Sequence, residues 1–458
     1  MAGAIPHLDR CYKIAVIQPT MMHRGGADFI VHKLCAELGR RGHEVTLIVG
    51  DRYHFDFWGT PQDYNVYEVM AGEQFYLEVG RWKRVGRKLA RVLSEFDIIN
   101  LHNTPAYFYW YYAKQINKRI NGLTIWFCHE PFRFFYREVT DRHSTQCTIY
   151  DILTEDVNLF NLKKTIEKMQ RYGILYPLFF IKDNVLLPRL MFRKIGIHLF
   201  PRFYKDIIRK KVERIVDLDK RIVNEFDCTL CNSAFTADNV QRIYNVPARV
   251  CYLGHTNHID PREITYKKFF LTVSRLDQEK NNIAIVKAVH SLHRKNKLNG
   301  YTYVLIGKPG TAADELRRYI KDNHLEKVID LRGFVSEEEK EALYKSMSFS
   351  VYVPYDEPFG LVPFESFSYK KTIITSDHGG PQESVDHMND GIRVDPDDIE
   401  GLERAILYCI ENPEKVKEMG EAGYRKQQES YLFSHFVDRF LLEIQRCYEE
   451  KHGACYQQ

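Results

Sequence analysis

No uncharged apolar run in this chain approaches the ~20 residues that a bilayer-spanning helix needs, so no membrane span is expected. The first residues, MAGAIPHLDRCYK, hold neither a basic stretch followed by an apolar core nor a cleavage site, and the expected location is the cytoplasm. The loop from Thr20 to Ala27 lacks the GxGxxG of dinucleotide-binding proteins, which argues against NAD or FAD. Ten cysteines are present, but only Cys228 and Cys231 are spaced as a pair, and no second pair joins them to make a zinc knuckle. They fall in a strand-like stretch, FDCTLCNS, where an offset of three sends side chains to opposite faces; the cysteines are expected to be buried, reduced thiols. Internal repeats and low-complexity tracts are also missing.

What is present describes a soluble α/β protein. The chain has 458 residues, 44% hydrophobic and 28% charged, enough for two or three domains. Residues 13–19, KIAVIQP, form a short continuous apolar run of the kind seen in buried parallel strands. A helix with apolar Ile30, Val31, Leu34, Cys35 and Leu38 follows, Gly42 ends it, and 44–49 is the next strand. Further strands are expected at 96–102, 123–129 and 227–232. A second alternating series starts at Phe269: strands at 269–275, 301–307, 328–334 and 349–354, with helices from Asn282 and over 336–346. Such alternation implies parallel sheets with ligands at the C-terminal ends of the strands. The polar segment His255 to Arg262, HTNHIDPR, is the expected hinge.

The densest chemistry lies in Glu357-Pro-Phe-Gly-Leu-Val-Pro-Phe-Glu365, running on to Gly379-Gly380-Pro-Gln-Glu383. Two carboxylates stand eight positions apart across a strand-to-helix turn, with Phe359, Gly360 and Leu361 reading as the first turn of the helix and Glu365 one turn further on. Free N–H groups at such a helix start favour phosphate. A sugar nucleotide supplies a phosphate, a polyhydroxylated group beside Glu357 and a ribose diol near Glu365. Upstream, Arg275 and Lys280 in SRLDQEKN follow the first strand of the second series, where a planar fork and a point charge can meet a diphosphate.

These residues resemble the Glu-x7-Glu signature and the Arg-Leu-x-x-x-Lys element of retaining GT-B glycosyltransferases, in the large family four (glycosyl transferases group 1). The resemblance covers most of residues 13–430 and weakens over 140–215. It implies two Rossmann-like domains facing each other across a cleft: 1–258 for the acceptor, 259–430 for the nucleotide-sugar donor, and a C-terminal helix, 431–458, packing back. It implies that Glu357 contacts the donor sugar, Glu365 the ribose, and the backbone of Phe359, Gly360 and Leu361 the phosphates. His129, in CHEPFRFFYRE, matches a histidine that bonds a donor-sugar hydroxyl. With Pro131, Arg133 and Tyr136 it resembles a run found with mannosyl- or rhamnosyl-type donors. Gly25 and Gly26 resemble the N-terminal glycine loop. The sequence departs from the family at Asn281 and Lys370, where many members carry glycine, at Thr372 in place of proline, and at Tyr355 in place of serine. Asp217-Leu-Asp219 and Asp395-Pro-Asp397 are read as helical and capping residues, so no metal and no cofactor are expected, and Arg275 and Lys280 would stabilise the departing diphosphate.

From Lys163 to Arg214 there are 14 Lys and Arg against 4 Asp and Glu, a local charge of +10 in a chain whose total is +4. The interleaved cations and aromatics of 171–214 suit either adsorption to an anionic membrane surface or a helical insertion around 140–215 with a solvated basic face. No RNA or DNA motif accompanies them, so nucleic acid is not an expected partner. The expected function is transfer of a hexose-type sugar from a nucleotide-diphosphate donor to a glycan or lipid-linked acceptor hydroxyl, with retention. The rivals are a sugar-nucleotide 2-epimerase of similar fold and a non-catalytic sugar-nucleotide- or membrane-binding protein.

Overall fold

The short apolar runs become the strands of two all-parallel sheets in a computed structural model that describes residues 11–21, 26–70, 79–132, 136, 201–255 and 263–453. The first sheet contains β1 (Lys13–Gln18), β2 (Glu44–Val49), β3 (Asn65–Glu68), β4 (Ile98–His102), β5 (Leu123–Cys128), β6 (Cys228–Cys231) and β7 (Arg249–Val250). Its order is β3-β2-β1-β4-β5-β6-β7. The second contains β8 (Phe269–Val273), β9 (Thr302–Ile306), β10 (Ile329–Gly333), β11 (Phe349–Tyr352), β12 (Ile373–Ser376) and β13 (Gly391–Val394), in the order β10-β9-β8-β11-β12-β13. Each sheet therefore reverses direction once, between β1 and β4 and between β8 and β11. A doubly wound sheet opens a crevice for ligands at the C-terminal ends of the strands on either side of that reversal. Lys280 and Glu357 follow β8 and β11 and stand at the second crevice; His129 follows β5, beside the first.

Why these residues form these elements is visible at their ends. The helix Gly26–Arg40 presents Ile30, Val31, Leu34, Cys35 and Leu38 to the sheet at helical spacing, and Gly42, at φ 91°, closes the turn to β2. Ser233 accepts from Thr236 N at the start of Ala234–Tyr244, and Ser336 from Glu339 N before Glu337–Ser346. Asn281 and Lys370, which replace family glycines, sit at φ 52° and 54°. Asparagine tolerates the left-handed region; a lysine there carries a strain that glycine would relieve.

The C-terminal helix Phe433–Gly453 returns to the first sheet. Phe436, Val437, Phe440 and Ile444 are completely buried in the core that holds Ile14, Val16, Ile125 and Phe127, each worth about 1.5–3 kcal/mol when fully covered. Phe359, Phe364 and Phe367 of the second domain join the same core. Residues 132–225 form a separate compact unit. In it the buried Tyr136 hydroxyl donates to Asp219 Oδ2 (2.7 Å) within the helix Pro201–Val223, so Asp219 serves the packing of that unit.

Several expectations are corrected. The helix expected to open at Phe359 begins at Val362, because Gly360 has φ 79° and Pro363 occupies the first turn; Glu365 lies in that first turn. The cap of Ile399–Glu411 is Asp398, which accepts from Gly401 N (2.7 Å), while Asp397 accepts from the Tyr355 hydroxyl (3.1 Å). His255, placed in the hinge, is a buried anchor: its Nδ1 lies 3.2 Å from Ser368 Oγ and its N–H donates to the Tyr431 carbonyl (2.8 Å). Residues 256–262 of that hinge lie outside the described residues. Cys11 is exposed, whereas the other described cysteines are buried. Among the described residues, no helix is long and apolar enough to cross a membrane.

Candidate active site

At the crevice of the second sheet, the loops after β8 and β11 are joined by a bond from Tyr355 N to the Glu279 carbonyl (2.8 Å). This places Lys280 Nζ 2.5 Å from Glu357 Oε2, and the same oxygen accepts from the Tyr352 hydroxyl (2.9 Å). Lys280 and Glu357 keep only 15% and 17% of their side-chain surface. A part-desolvated pair of this kind is stronger than a surface ion pair, which is worth about 0–1 kcal/mol. Burial first, then the charge of Glu357, pushes the Tyr352 phenol well above its ordinary pKa; Glu365 adds to this and Arg275 opposes it. Tyr352 therefore feels four of the expected site residues at once, since Lys280 Nζ also lies 3.4 Å from its hydroxyl.

The backbone around Glu357 is crowded in a way only glycine permits. Gly380 N donates to the Glu357 carbonyl (2.8 Å). A Cβ on Gly379, which has φ 73°, would stand 2.6 Å from that carbonyl oxygen, and one on Gly380 would stand 2.3 Å from Phe359 Cα. The Gly379-Gly380 turn is thus pressed against Glu357. His378, just before it, is 2.8 Å from Asp356 Oδ1, and Asp356 itself has φ 43°. Glu365 Oε2 accepts from the Tyr344 hydroxyl (2.8 Å), and Tyr344 is stacked on Tyr369 with ring centres 5.1 Å apart.

The other expected residues are more dispersed. Arg275 is held by Asp277 (2.7 Å) and Glu279 (3.4 Å), with 63% of its side chain exposed. Phe359 is buried and stacked on Phe364, so its side chain belongs to the core. Leu361 precedes the helix, and its Cδ1 would lie 3.8 Å from a Cβ on Gly26, which opens a helix of the first domain. His129 is buried just past β5, with Nε2 3.0 Å from His102 Nδ1. Gly25 and Arg133 lie outside the described residues. Among the described residues, no three His, Cys, Asp or Glu side chains gather as metal ligands.

The sequence reading missed Tyr352, Tyr344, His102, Asn100 and the role of Glu383. The two tyrosines sit in an apolar strand and a helix, where a phenol reads as core. Asn100 and His102 did leave a signal, two polar residues at alternating positions of an apolar strand. Glu383 crosses to the first domain: its carboxylate accepts from Ala234 N and Phe235 N (both 2.8 Å), the free amides at the start of Ala234–Tyr244. Ser233 Oγ donates to the Pro358 carbonyl beside it (2.5 Å).

Residues 255–426 match the family model for glycosyl transferases group 1, and residues 24–153 match that for glycosyltransferase family 4. Over 237 residues the chain is 25% identical to the human alpha-1,3/1,6-mannosyltransferase ALG2, a stretch covering 46% of this chain and 57% of that protein. The chain spans about half the length of the curated relatives it matches. Two solved structures share the fold. Anabaena HepE, in complex with UDP and glucose, superposes with a TM-score of 0.62 at 14% identity over 95% of this chain and 99% of that one. Sucrose-phosphate synthase from Thermosynechococcus elongatus gives 0.65 at 15% identity over 97% and 100%.

Proposed function

Because the chain belongs to the group 1 glycosyltransferases of GT-B fold, we propose that it moves a hexose-type sugar from a nucleotide-diphosphate donor to a hydroxyl of a glycan or lipid-linked acceptor, with retention. A mannosyl- or rhamnosyl-type donor fits the resemblance around His129 and the ALG2 relatives. The observation that carries the reading is the Lys280–Glu357–Tyr352 cluster at the switch point of the second sheet. In this reading Glu357 meets the sugar, Glu365 the ribose, and Lys280 with Arg275 the diphosphate. The backbone of Phe359 to Leu361 meets the phosphates and His129 the sugar; Gly25 and Arg133, expected to join them, lie outside the described residues.

The acceptor oxygen forms its bond to the anomeric carbon on the face from which the diphosphate oxygen departs. The hydroxyl proton passes to a phosphate oxygen. Lys280 and Arg275 take up the charge that grows on the leaving diphosphate, so positive charge is supplied without a metal. Both cations are engaged by carboxylates, Arg275 by Asp277 and Lys280 by Glu357. Donor binding accordingly exchanges Glu357 and the acidic pair Asp277 and Glu279 for phosphate oxygens.

A thermal-shift and hydrolysis panel without added metal tests this, using GDP-mannose, UDP-glucose, UDP-GlcNAc, UDP-galactose and dTDP-rhamnose. One nucleotide class is expected to stabilise the protein, and Glu365→Ala to weaken that donor at least tenfold, about 1.4 kcal/mol. No stabilisation by any of the five would sink the transferase reading with these donors. A C2-inverted sugar nucleotide formed without acceptor would identify the epimerase instead.

The lipid-linked acceptor motivates one more element, peripheral contact of 171–214, of which 171–200 lie outside the described residues, with an anionic surface on the inner face of the membrane. Pro201–Val223, which reads PRFYKDIIRKKVERIVDLDKRIV, supplies cations along one helix. The protein is expected to float with anionic liposomes at low salt; recovery in the pellet fraction would remove the membrane from the reading.

A further inference from the structure

Asn100 and His102 are completely buried, two residues apart on one face of β4, among Ile98, Ile99 and Leu101. β4 and β5 are parallel with His102 beside Phe127, so His129, two residues beyond Phe127, comes to the same face. The rings are joined by His102 Nδ1 and His129 Nε2 at 3.0 Å. The other nitrogen of His102, Nε2, lies 2.5 Å from Asn100 Oδ1, and Asn100 Nδ2 donates to the Ile125 carbonyl (3.3 Å). That last bond orients all the others. An amide whose nitrogen faces Ile125 turns its oxygen to His102, and an oxygen of this kind only accepts. His102 must therefore carry its proton on Nε2.

A neutral imidazole has a single N–H, so Nδ1 of His102 is a lone pair and the proton between the rings belongs to His129 Nε2. Burial keeps both rings neutral, holding His102 well below its ordinary pKa and pushing His129 down to about 4. Phe127 packs on both rings, at 5.4 and 5.0 Å between centres, and Asn232 Nδ2 donates to the His129 carbonyl (2.8 Å).

We infer that Asn100 and His102 are positioning residues that lock His129 in the Nε2–H tautomer and make its Nδ1 an obligate acceptor for a hydroxyl of the donor sugar. The inference rests on the reading that His129 faces that sugar. It adds a specificity rule: the sugar must present an O–H there, and a fluorine or ether oxygen at that position cannot replace it.

The test is the imidazole nitrogen spectrum of isotope-labelled histidine in the full chain, with His129 assigned by the signals lost in His129→Gln. The wild type is expected to show a pyrrole-type nitrogen at Nε2 and a pyridine-type nitrogen at Nδ1 of His129. Asn100→Leu should convert this to a tautomer mixture, lower transfer roughly tenfold and leave affinity for the nucleoside diphosphate product unchanged. A proton on His129 Nδ1 in the wild type overturns the lock, and so does an unchanged tautomer in Asn100→Leu. Should that variant fail to fold, the wild-type spectrum decides alone. A locked tautomer together with full transfer by His129→Gln upholds the lock and instead removes His129 from the donor site, a failure of the functional reading.

Discussion

Replacing Lys280 by alanine is expected to lower the transfer rate at least tenfold and on the order of a hundredfold, about 1.4–2.7 kcal/mol of transition-state stabilisation. Charge on the leaving diphosphate grows as its bond to the sugar breaks, and a fixed ammonium in a part-desolvated crevice interacts with that charge more strongly than with the ground state. The loss should therefore appear in kcat more than in KM. The fold should survive. Glu357 keeps its bond from the Tyr352 hydroxyl (2.9 Å), and both partners of the ion pair retain some contact with solvent. A cost of about 1–2 kcal/mol in stability is expected, below the 3–5 kcal/mol of a fully buried pair broken on one side. Lys280→Arg should recover part of the rate, since a planar fork carries the charge but not the compact geometry. Single-turnover rates at saturating donor, with a melting curve for each variant, check this. Wild-type turnover in a folded Lys280→Ala would show that the diphosphate leaves without help from Lys280.

The second large effect is on stability. Lys371 is completely buried, donates to the Thr265 carbonyl and lies 3.4 Å from the centre of the Tyr266 ring. Burial nevertheless pushes its pKa down from 10.5 to about 7. Below about pH 7 native and unfolded chains both hold the proton, and the penalty is constant. Between about pH 7 and 10.5 the unfolded chain holds a proton that the native chain has released, so stability rises with pH across that window. The full penalty is roughly 5 kcal/mol at 1.36 kcal/mol per unit. Lys371→Met removes it but leaves the Thr265 carbonyl without that donor, which costs about 1–3 kcal/mol. The variant should be more stable than the wild type by roughly 3 kcal/mol near pH 6.5, and the advantage should vanish or reverse near pH 10. Urea midpoints at the two pH values decide. An equal loss at both would mean that the native lysine remains charged and paired.

The parallel sheets were legible because their central strands are continuous apolar runs: KIAVIQ, IINLH, LTIWFC and FFLTV need no partner to be recognised. The strands not anticipated, Asn65–Glu68, Arg249–Val250, Ile373–Ser376 and Gly391–Val394, have two to four residues, too few for a period to show. In the candidate site the charged residues could be named from spacing, but their partners could not. Lys280 and Glu357 are 77 positions apart, and nothing local to either announces the other. Tyr352 and Tyr344 matter through one hydroxyl each, while most of their surface does what any core aromatic does. The helix start was misplaced because Gly360 at φ 79° and Pro363 act together: the first residue turns the chain out of helical space and the second readmits it.

Glu383 gives the two domains a shared thermodynamic quantity. Its carboxylate rests on the first amides of a helix in one domain, while Gly380, three residues before it, donates to the carbonyl of Glu357 in the other. Occupation of the crevice at Glu357 and the seating of Glu383 on that helix are consequently two ends of one short segment. Whatever free energy a ligand at Glu357 adds to or takes from the seating of Glu383 must be returned, with the same sign and size, to the affinity of that ligand. The affinity of a ligand at Glu357 and the seating of Glu383 are in that sense a single measurement made at two places.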